Sequence, residues 1–423
     1  MKRPTRASPA QYEPMTGKDI VQQIKREIDS GYFNPLSLSD FADHYFVHPN
    51  YLSDLFFREV GSNFTKYLTA VRIEKARQYL KYTEFSIEKI TSMVGYTDRG
   101  YFSRMFKAIT GVGPGEYRKS FIDKLKSCNE EYVYVSVFRD EPLVIEQDMH
   151  GLQYFAKSHN VRAILEAPED YYDVQLSIHI LENVIRRQPA GLMVCATEKE
   201  FIPYINAAID KGIPTITVDC DAPESRRIAL VSSNWLEIGR ELGLALAKAI
   251  HESGKIFALG MSKSHNTQVA YRALNDAMKD YPDILLLGVH DDEGSAKVAE
   301  QITQKLLALH PDVAGIVALD SRSAIGACAA IQKAQLKGRV KVTSVDMTRQ
   351  HIELLKNEHI EMLYGQKRSL FTYYGGKLLY DCNHGAPEIS KSIDKTQFYN
   401  IPSFIDTGCI RITRDNVEML FGK

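Results

Sequence analysis

A six-residue motif that occurs twice near the N-terminus limits the folds open to this chain. Residues 51–56 read Tyr-Leu-Ser-Asp-Leu-Phe and run on to Gly61, and residues 101–106 read Tyr-Phe-Ser-Arg-Met-Phe and run on to Gly111. Each glycine is followed six residues later by a tyrosine. A repeat of this kind indicates one structural unit built twice. The spacing of its apolar residues predicts that each unit is a pair of short helices.

Residues that commonly begin helices divide the region 17–121 into short helical segments. Ser37, Ser86 and Asp98 each precede an apolar periodic run, as N-cap residues do, and Pro49 suits a first helical turn. The second helices of the two pairs, and the helix that connects the pairs, are predicted over 49–60, 98–110 and about 64–81. The aromatic residues of the motif are expected in the core: Tyr51, Phe56, Tyr101 and Phe106.

The charge is distributed unevenly, although the whole chain has a net charge of only −1. Residues 1–127 contain 20 Lys and Arg against 14 Asp and Glu, and the remaining residues contain 32 against 39. A basic part attached to an acidic remainder is typical of a nucleic-acid-binding module joined to another domain. Two helices joined by a tight turn, with the second able to enter a major groove, form a helix-turn-helix. The N-terminal region is therefore predicted to bind double-stranded DNA.

Further residues around both copies of the motif follow one pattern: Arg72, Ala76, Ile87, Ile90, Val94, Gly95, Tyr96, Asp98, Lys107, Pro114 and Arg118. With this pattern, residues 18–121 resemble the AraC/XylS family of bacterial transcription regulators. The resemblance implies an all-α domain with two helix-turn-helix units. It also implies that the following residues contact DNA: Asn50, Ser53, Asp54, Arg99, Gly100, Ser103, Arg104 and Lys107.

The first copy departs from the family's pattern at two positions. Asp54 stands where the family usually carries arginine, and Phe57 stands where it usually carries lysine. A carboxylate can accept a hydrogen bond from cytosine N4, but phosphates repel it. The second copy, with Arg99 and Arg104, is therefore expected to dominate DNA binding. The alternative is that Arg104 and Lys107 are merely solvated surface residues.

After about residue 128 the pattern changes to short β-rich runs that alternate with amphipathic helices. Eight runs are predicted as strands: 133–137, 163–165, 192–195, 215–218, 256–259, 285–289, 316–319 and 342–345. Helices are predicted between them, among others over 174–187, 235–251, 296–308 and 323–334. This alternation over about 290 residues predicts two parallel α/β sheets with right-handed crossovers.

An aspartate directly follows three of the predicted strands, at Asp219, Asp320 and Asp346. In open α/β sheets, ligands bind outside the carboxyl ends of the strands. Ionised carboxylates accept charge-assisted hydrogen bonds from hydroxyl groups. The set therefore predicts a site for a sugar or another polyol. For any one of the three, the alternative is that the aspartate caps the following helix.

Four stretches of the C-terminal region together form a second set of motifs: 212–223, 233–239, 306–312 and 406–408. With them, residues 131–421 resemble the type I periplasmic-binding-protein superfamily, near the LacI-type sugar sensors. The resemblance implies an α/β domain with parallel sheets in two lobes, which are joined by three crossovers and close on a ligand. The implied ligand-binding residues are Asp219, Asp320, Asp346 and Gln366, with Asp140 or Glu141 after the first strand.

The ligand contacts of ribose-binding proteins are only partly present. The positions of their stacking aromatic residues fall near Leu143 and Val144, and the position of their sugar-binding arginine falls near Ala270. Candidates to replace these contacts are Phe138, Arg139, Tyr171, Arg322 and Trp235. The alternative for Trp235 is that it packs against the hinge.

The predicted division of the chain is a flexible lead over 1–17, a DNA-binding domain over 18–121, a linker over 122–130 and a ligand-sensing domain over 131–423. Within the sensing domain, lobe 1 is predicted over about 131–233 and 367–402, and lobe 2 over about 234–366 and 403–423. LacI-type sensors also place their DNA-binding module first and dimerise through the sensor. The resemblance therefore implies a homodimer.

No motif for nucleophilic catalysis, phosphate binding or dinucleotide binding occurs in residues 129–423. We expect no enzyme activity, no cofactor and no metal, and the six scattered cysteines indicate reduced thiols.

A polar N-terminus and the lack of long apolar runs predict a cytoplasmic protein with no membrane partner. The expected function is a ligand-responsive transcription regulator, with operator DNA, a sugar effector and RNA polymerase as partners. The alternatives are a binding protein of a sugar transport or signalling system, and an α/β enzyme.

Overall fold

A computed structural model describes residues 16–125, 130–137, 142–168, 173–385 and 401–421. These residues form two compact units. The first unit comprises the residues up to Lys81 together with Ser86–Phe121. The second comprises Tyr82–Phe85 and the residues from Ile122 onward. The predicted flexible lead lies almost entirely outside the described residues.

Helices make up most of the described part of the first unit: α1 Gly17–Gly31, α2 Leu38–His44, α3 Pro49–Val60, α4 Phe64–Tyr82, α5 Ile87–Met93, α6 Arg99–Thr110 and α7 Pro114–Leu125. Capping residues set their ends where the sequence predicts. Ser37, Ser86 and Asp98 each accept a hydrogen bond from the backbone amide three residues later. Gly61 and Gly111 end α3 and α6 with left-handed φ angles of 76° and 85°.

The two copies of the motif fold alike, but one expectation about their cores is wrong. Phe56 and Phe106 are fully buried, as predicted. Tyr51 and Tyr101 were also expected in the core, yet they are 51% and 47% exposed. The buried stripe of each helix runs through the residue after the tyrosine and through the phenylalanine four positions beyond that. Because each residue turns the side chain by about 100° around the helix, the tyrosine lies beside this stripe.

Arg72 in α4 connects the segment that follows α1 with the turn between α5 and α6. Its Nε donates to the carbonyl oxygen of Tyr32 at 2.8 Å, and its Nη2 donates to that of Asn34 at 3.0 Å. Its guanidinium also lies 5.2 Å from the centre of the Tyr96 ring. Gly95, with φ of 80°, leaves no room for a side chain here, because a Cβ would lie 2.9 Å from Arg72. Arg72 therefore stabilises the helical unit from inside.

Replacing Ser86 with alanine is expected to destabilise the helical unit by about 1 kcal/mol. The backbone N–H of Lys89 would lose its acceptor, which lies 3.0 Å away. Thermal unfolding of the full chain, followed by circular dichroism, measures the change. Ser120→Ala, at an exposed position of α7, is the control and should stay within about 0.5 kcal/mol. A Ser86→Ala loss no larger than that of the control would show that the cap contributes nothing.

Strands and helices alternate through the described part of the second unit. The strands are β1 Glu131–Val135, β2 Arg162–Glu166, β3 Gly191–Val194, β4 Thr215–Val218, β5 Leu230–Ser232, β6 Gly254–Gly260, β7 Ile284–Asp291, β8 Val313–Ala318, β9 Lys341–Val345, β10 Met362–Gln366, β11 Phe404–Asp406 and β12 Cys409–Ile412. The helices are α8 Pro142–His159, α9 Val174–Arg187, α10 Ile202–Asp210, α11 Trp235–Ala249, α12 His265–Met278, α13 Ala296–Leu309, α14 Ser321–Lys333, α15 Arg349–Lys356, α16 Arg368–His384 and α17 Val417–Phe421, with a short 3-10 helix at Lys199–Phe201.

The strands form two six-stranded sheets, as the predicted two-lobed architecture requires. One sheet has the order β11-β5-β4-β3-β1-β2 and the other β12-β10-β9-β8-β6-β7. The pairing of β10 with β12 is antiparallel, and the other described pairs are parallel. We call the first sheet with its helices lobe 1 and the second sheet with its helices lobe 2. The chain passes between the lobes after β5, after β10 and between β11 and β12.

One predicted lobe boundary is wrong. Residues 403–406 were assigned to lobe 2, but Phe404–Asp406 pairs in parallel with β5 of lobe 1, so the third crossover is at 407–408. This strand has only three residues and is largely exposed, so the sequence carries no apolar pattern that would reveal it. The compact helical unit ends at Phe121, although helix α7 continues to Leu125, within the predicted linker over 122–130.

Candidate functional site

Helices α3 and α6 each carry the predicted DNA-contacting residues on one face. The positions i, i+3, i+4 and i+7 of that face are 50, 53, 54 and 57 in α3, and 100, 103, 104 and 107 in α6. Ser53 and Ser103 are half-buried, and the other predicted residues are exposed: Asn50, Asp54, Arg99, Gly100, Arg104 and Lys107. The fold therefore places seven of the eight predicted residues on two matching faces, and Arg99 is exposed beside the face of α6.

The two surfaces differ in charge. Arg104 and Lys107 in α6 occupy the positions that Asp54 and Phe57 occupy in α3. Phe57 is 59% exposed, although the removal of an aromatic ring from water is favourable. Cations on α6 attract the phosphates of DNA, whereas a carboxylate on α3 is repelled by them. The difference in charge between the two copies of the motif, which the sequence predicted, therefore lies on the exposed surface of the folded unit.

A cavity lies between the two lobes, at the carboxyl ends of strands from both sheets. Asp219, Asp320, Asp346 and Gln366 all line the cavity. Four residues that the sequence indicated as ligand contacts therefore come together in space. The other candidates in the loops after β1 and before α9 lie outside the described residues: Phe138, Arg139, Asp140, Glu141 and Tyr171.

Asp219 and Asp346 have the left-handed backbone conformation, with φ of 66° and 74°. Residues other than glycine are uncommon there, and such strain is concentrated at functional sites. Each aspartate ends a buried strand and turns the chain at the cavity wall. Asp346 accepts a hydrogen bond from Nε2 of Gln366 at 2.8 Å. The other amide atom, Oε1 of Gln366, is buried and accepts no hydrogen bond from the described residues.

Asp320 has a structural role that the other two aspartates lack. Its Oδ1 accepts a hydrogen bond from the backbone N–H of Arg322 at 2.9 Å, so Asp320 is the N-cap of α14. The alternative of helix capping is therefore correct for Asp320. Asp219 and Asp346 cap none of the described helices, so their carboxylates remain the stronger candidates for ligand contacts.

Arg368, which the sequence analysis did not select, lies buried in the cavity wall between two carboxylates. Its Nη1 donates to Oδ2 of Asp219 at 2.8 Å, and its Nη2 donates to Oδ2 of Asp148 at 3.1 Å. Helices α8 and α16 must approach closely to bring these groups together. Gly151 permits this approach, because a Cβ there would lie 2.0 Å from the carbonyl oxygen of Ser369. Arg368, Asp148 and Asp219 form a buried triad.

The protonation of the triad depends on burial and on the central arginine. Burial raises the pKa of Asp148 to about 6 and also raises the pKa of Asp219, while Arg368 opposes both shifts. Burial lowers the pKa of Arg368, but the two carboxylates outweigh that effect and raise it. Burial raises the pKa of Asp346 as well, against the hydrogen bond from Gln366. The cavity wall therefore combines buried carboxyl groups of raised pKa with a guanidinium that keeps its charge.

One signal for the triad was present in the sequence. Asp148 lies on the apolar stripe of α8 that includes Ile145, Met149 and Leu152, all of which are buried. A carboxylate within such a stripe requires a buried cation, since an isolated buried charge is costly. The position of the partner, 220 residues away, cannot be read from helical spacing. The sequence could therefore indicate that a partner exists but not that it is Arg368.

Two thiols lie beside the triad, and one of them, that of Cys220, lines the cavity. Candidate ligand atoms of Cys195, Asp219 and Cys220 all lie within 4.8 Å of one another. A hydrogen bond with Cys195, together with burial, raises the pKa of the Cys220 thiol. A metal ion would need this thiol deprotonated and would compete with Arg368 for Asp219. The arrangement therefore suits neutral buried thiols better than a metal.

The comparison with known families agrees with this architecture. The model of the periplasmic binding protein domain matches residues 132–385, more than half of the chain. The chain belongs to this family. A helix-turn-helix domain model matches residues 41–120, which contain both copies of the repeated motif. The resemblances to AraC-type regulators and to periplasmic binding proteins are thereby confirmed.

Individual relatives match one unit each. The N-terminal region is 33% identical over 116 residues to the HTH-type transcriptional regulator YfiF of Bacillus subtilis, which is 27% of this chain and 37% of that protein. The chain thus spans little more than a third of that relative's length.

Solved structures match the α/β unit. The sugar-binding protein of a sugar ABC transporter from Bacillus halodurans is 23% identical, with a TM-score of 0.60 over 69% of this chain and 100% of that one. The arabinose-binding protein AraP from Geobacillus stearothermophilus is 27% identical, with a TM-score of 0.59 over 69% of this chain and 99% of that one.

Among the described residues, none of the helices combines the length and the apolar character that crossing a membrane requires.

Proposed function

We propose that this chain is a cytoplasmic transcription regulator that binds an operator through its helical unit and a sugar effector through the cavity of its α/β unit. The observation that carries the proposal is the presence, in one chain, of two helix-turn-helix surfaces and of an acid-lined cavity between two lobes. Residues 18–121 would bind DNA, and residues 131–423 would sense the ligand. RNA polymerase would be a further partner if the protein activates transcription.

The chemistry of the cavity supports a polyhydroxylated ligand. Asp219 and Asp346 provide carboxylate oxygens, and Gln366 provides an amide oxygen that accepts no hydrogen bond from the described residues. Hydroxyl groups donate to such acceptors, and a buried acceptor without a donor is unfavourable. Several structural neighbours, AraP among them, are sugar-binding proteins by name. The proposed ligand-binding set is Asp219, Asp320, Asp346 and Gln366, with Asp140 and Glu141 from the loop after β1.

A ligand can change DNA binding only if it binds two states of the protein with different affinities. In the α/β unit, closure of the lobes around the ligand would provide these two states. Asn266 of lobe 2 already donates from Nδ2 to the carbonyl oxygen of Asp219 in lobe 1 at 3.0 Å. A ligand that contacts both lobes would favour the closed state, and DNA affinity would follow the shift.

A two-step experiment on the full chain tests the proposal. A panel of pentoses and hexoses is screened for an increase in melting temperature, because a ligand that binds the folded state stabilises it. DNA fragments selected from a random pool are then titrated with and without the stabilising sugar. We expect a sugar that raises the melting temperature and changes DNA affinity. A protein that binds sugar but no DNA would instead be a transport or signalling component. Consumption of the sugar would indicate an α/β enzyme.

The exposed edge of lobe 2 supports a homodimer. Strand β7 is at the edge of its sheet, and Leu285 on this strand is 55% exposed. Open edges of this kind pair readily with other chains. Light scattering at micromolar concentration is expected to give the mass of two chains, with and without ligand. A monomer under both conditions would contradict the dimer.

Replacing Asp54 with arginine is expected to strengthen DNA binding. The exposed carboxylate of α3 would be exchanged for the cation that α6 carries at the equivalent position, Arg104. The plot of log affinity against log salt should become steeper by about 1, as one more phosphate contact predicts. Asp54→Asn, which removes the charge without adding a cation, is the matched control and should leave the slope nearly unchanged. An unaltered slope in Asp54→Arg would mean that this residue points away from the phosphates.

A further inference from the structure

We infer that Trp235 contacts the ligand and makes the cavity selective for cyclic sugars over open-chain polyols. Its indole ring would cover the apolar face of a sugar ring, and its Nε1–H would donate to a ligand oxygen. The inference rests on the proposed sugar-binding function of the cavity. It adds a residue to the site and narrows the class of ligand.

The backbone holds Trp235 at the junction of the two lobes. It is the first residue of α11, directly after the crossover that follows β5. Asn234 caps this helix by accepting a hydrogen bond from the backbone N–H of Glu237 at 3.3 Å. One part of the indole packs against the apolar core of lobe 2. Trp235 also lines the cavity, so one side chain connects the lobe 2 core to the ligand space.

The indole nitrogen lacks an acceptor. Nε1 of Trp235 is buried and donates no hydrogen bond to any of the described residues. Buried indole N–H groups normally have a partner, and an unsatisfied buried donor is unfavourable. Gln366 also lines the cavity, and its Oε1 is a buried acceptor that receives no hydrogen bond from the described residues. A hydroxyl group can both donate and accept, so a ligand hydroxyl that reaches either group would satisfy it.

Trp235 adds a buried hydrogen-bond donor to a lining that also contains the donors Thr197, Ser264, Ser321 and Arg322. The carboxyl groups of Asp219 and Asp346 only accept hydrogen bonds when they are ionised, and Arg368 is held by the carboxyl groups of the triad. Nδ2 of Asn266 already donates to backbone and thiol atoms of lobe 1. The ring oxygen of a cyclic sugar can only accept, so it requires a donor. Trp235 can supply that donor.

The apolar lining favours a ligand with a flat hydrocarbon face. Among the described residues that line the cavity, Trp235 is the only aromatic residue. The other apolar side chains in this lining are small or flexible: Val137, Val144, Met261, Leu319 and Val345. A pyranose or furanose ring presents C–H groups on one face, which an indole covers well. An alditol of the same stereochemistry has no such fixed face, and it must lose more conformational freedom on binding.

Trp235 is the single tryptophan of the chain, so intrinsic fluorescence reports on this position alone. The full chain is titrated with D-ribose, L-arabinose, D-xylose, D-galactose and D-glucose, and with the alditol of each. We expect at least one sugar to raise the melting temperature and to shift or quench the tryptophan emission. We expect the matching alditol to bind at least tenfold more weakly.

Trp235→Phe keeps a ring but removes the donor, so calorimetry should show affinity for the stabilising sugar reduced about 2–12-fold, as for one lost neutral hydrogen bond. Its melting temperature without ligand should stay close to that of the unsubstituted chain. Leu236→Ala, at the exposed neighbouring position, is the control and should bind normally. If a sugar stabilises the chain but the emission is unchanged, or Trp235→Phe binds equally well, the role of Trp235 is overturned while the sugar site stands. If no sugar has any effect, the sugar effector itself is overturned, and this inference with it.

Discussion

Arg368→Met is expected to destabilise the α/β unit by about 3–5 kcal/mol at pH 7.5, the usual result of removing one partner from a buried ion pair. Two buried carboxylates, on Asp148 and Asp219, would lose the cation that lies about 3 Å from each of them. Methionine fills a similar volume, so the loss comes from charge more than from packing. Urea unfolding followed by the emission of Trp235, which lies in this unit, measures the change.

The loss of stability in Arg368→Met should increase as the pH rises. Burial already raises the folded-state pKa of Asp148 to about 6 from an ordinary value of 3.8, so the folded state binds the proton more tightly than the unfolded state. Stability from this group is therefore present at low pH and is lost as pH rises through about 6. Without Arg368 the pKa rises further. The loss of stability in Arg368→Met should thus be largest above pH 7 and shrink toward pH 5, which is below the folded-state pKa of Asp148.

Arg226→Met is the matched control, because it removes an arginine from an exposed ion pair with Asp210 in the same lobe. Exposed pairs contribute about 0–1 kcal/mol. If Arg368→Met costs no more than Arg226→Met, or if its deficit does not change with pH, the triad does not hold the carboxylates as ions.

Arg104→Ala is expected to weaken binding to the selected operator by about 1–3 kcal/mol and to relax the preference at one base pair, as for the loss of a bidentate base contact. Arg104 is exposed on the face of α6 that carries the predicted DNA contacts, at the position where α3 carries Asp54. Fluorescence anisotropy with operator DNA and with a set of single-base variants measures both effects.

Lys107→Ala, one helical turn further along the same face, provides the comparison. Loss of a phosphate contact should weaken binding to operator and to random DNA alike and reduce the salt slope by about 1. If Arg104→Ala produces this second pattern, Arg104 contacts phosphate and the base recognition lies elsewhere. Equal affinity of the Arg104 variant and the unsubstituted chain would leave Arg104 a solvated surface residue.

The helical unit was largely predictable because its signals are local. A cap residue such as Ser86 and a terminating residue such as Gly111 act within one or two turns, so their spacing in the chain is their spacing in the helix. The misplacement of Tyr51 and Tyr101 also has a local origin. An aromatic residue next to the buried stripe is counted as core when only apolar character is read.

The α/β unit was predictable in class and only partly in its site. Strands buried on both faces are continuous apolar runs, so most of them stand out in the sequence. The edge elements do not, since three residues such as those of β11 carry no period. The roles of single side chains are equally hard to predict. Asp219, Asp320 and Asp346 each follow a strand, but only the structure shows that Asp320 caps the helix after it.

The sequence by itself determined the duplicated helix-turn-helix, the parallel α/β sheets and the acids at the strand ends, because each depends on the order of neighbouring residues. Only the tertiary structure decided that Arg368 joins Asp148 to Asp219 and that Trp235 stands at the cavity with an unsatisfied donor. These contacts connect residues far apart in the chain, and burial sets their energies. Burial is a property of the packed lobes and of no single segment.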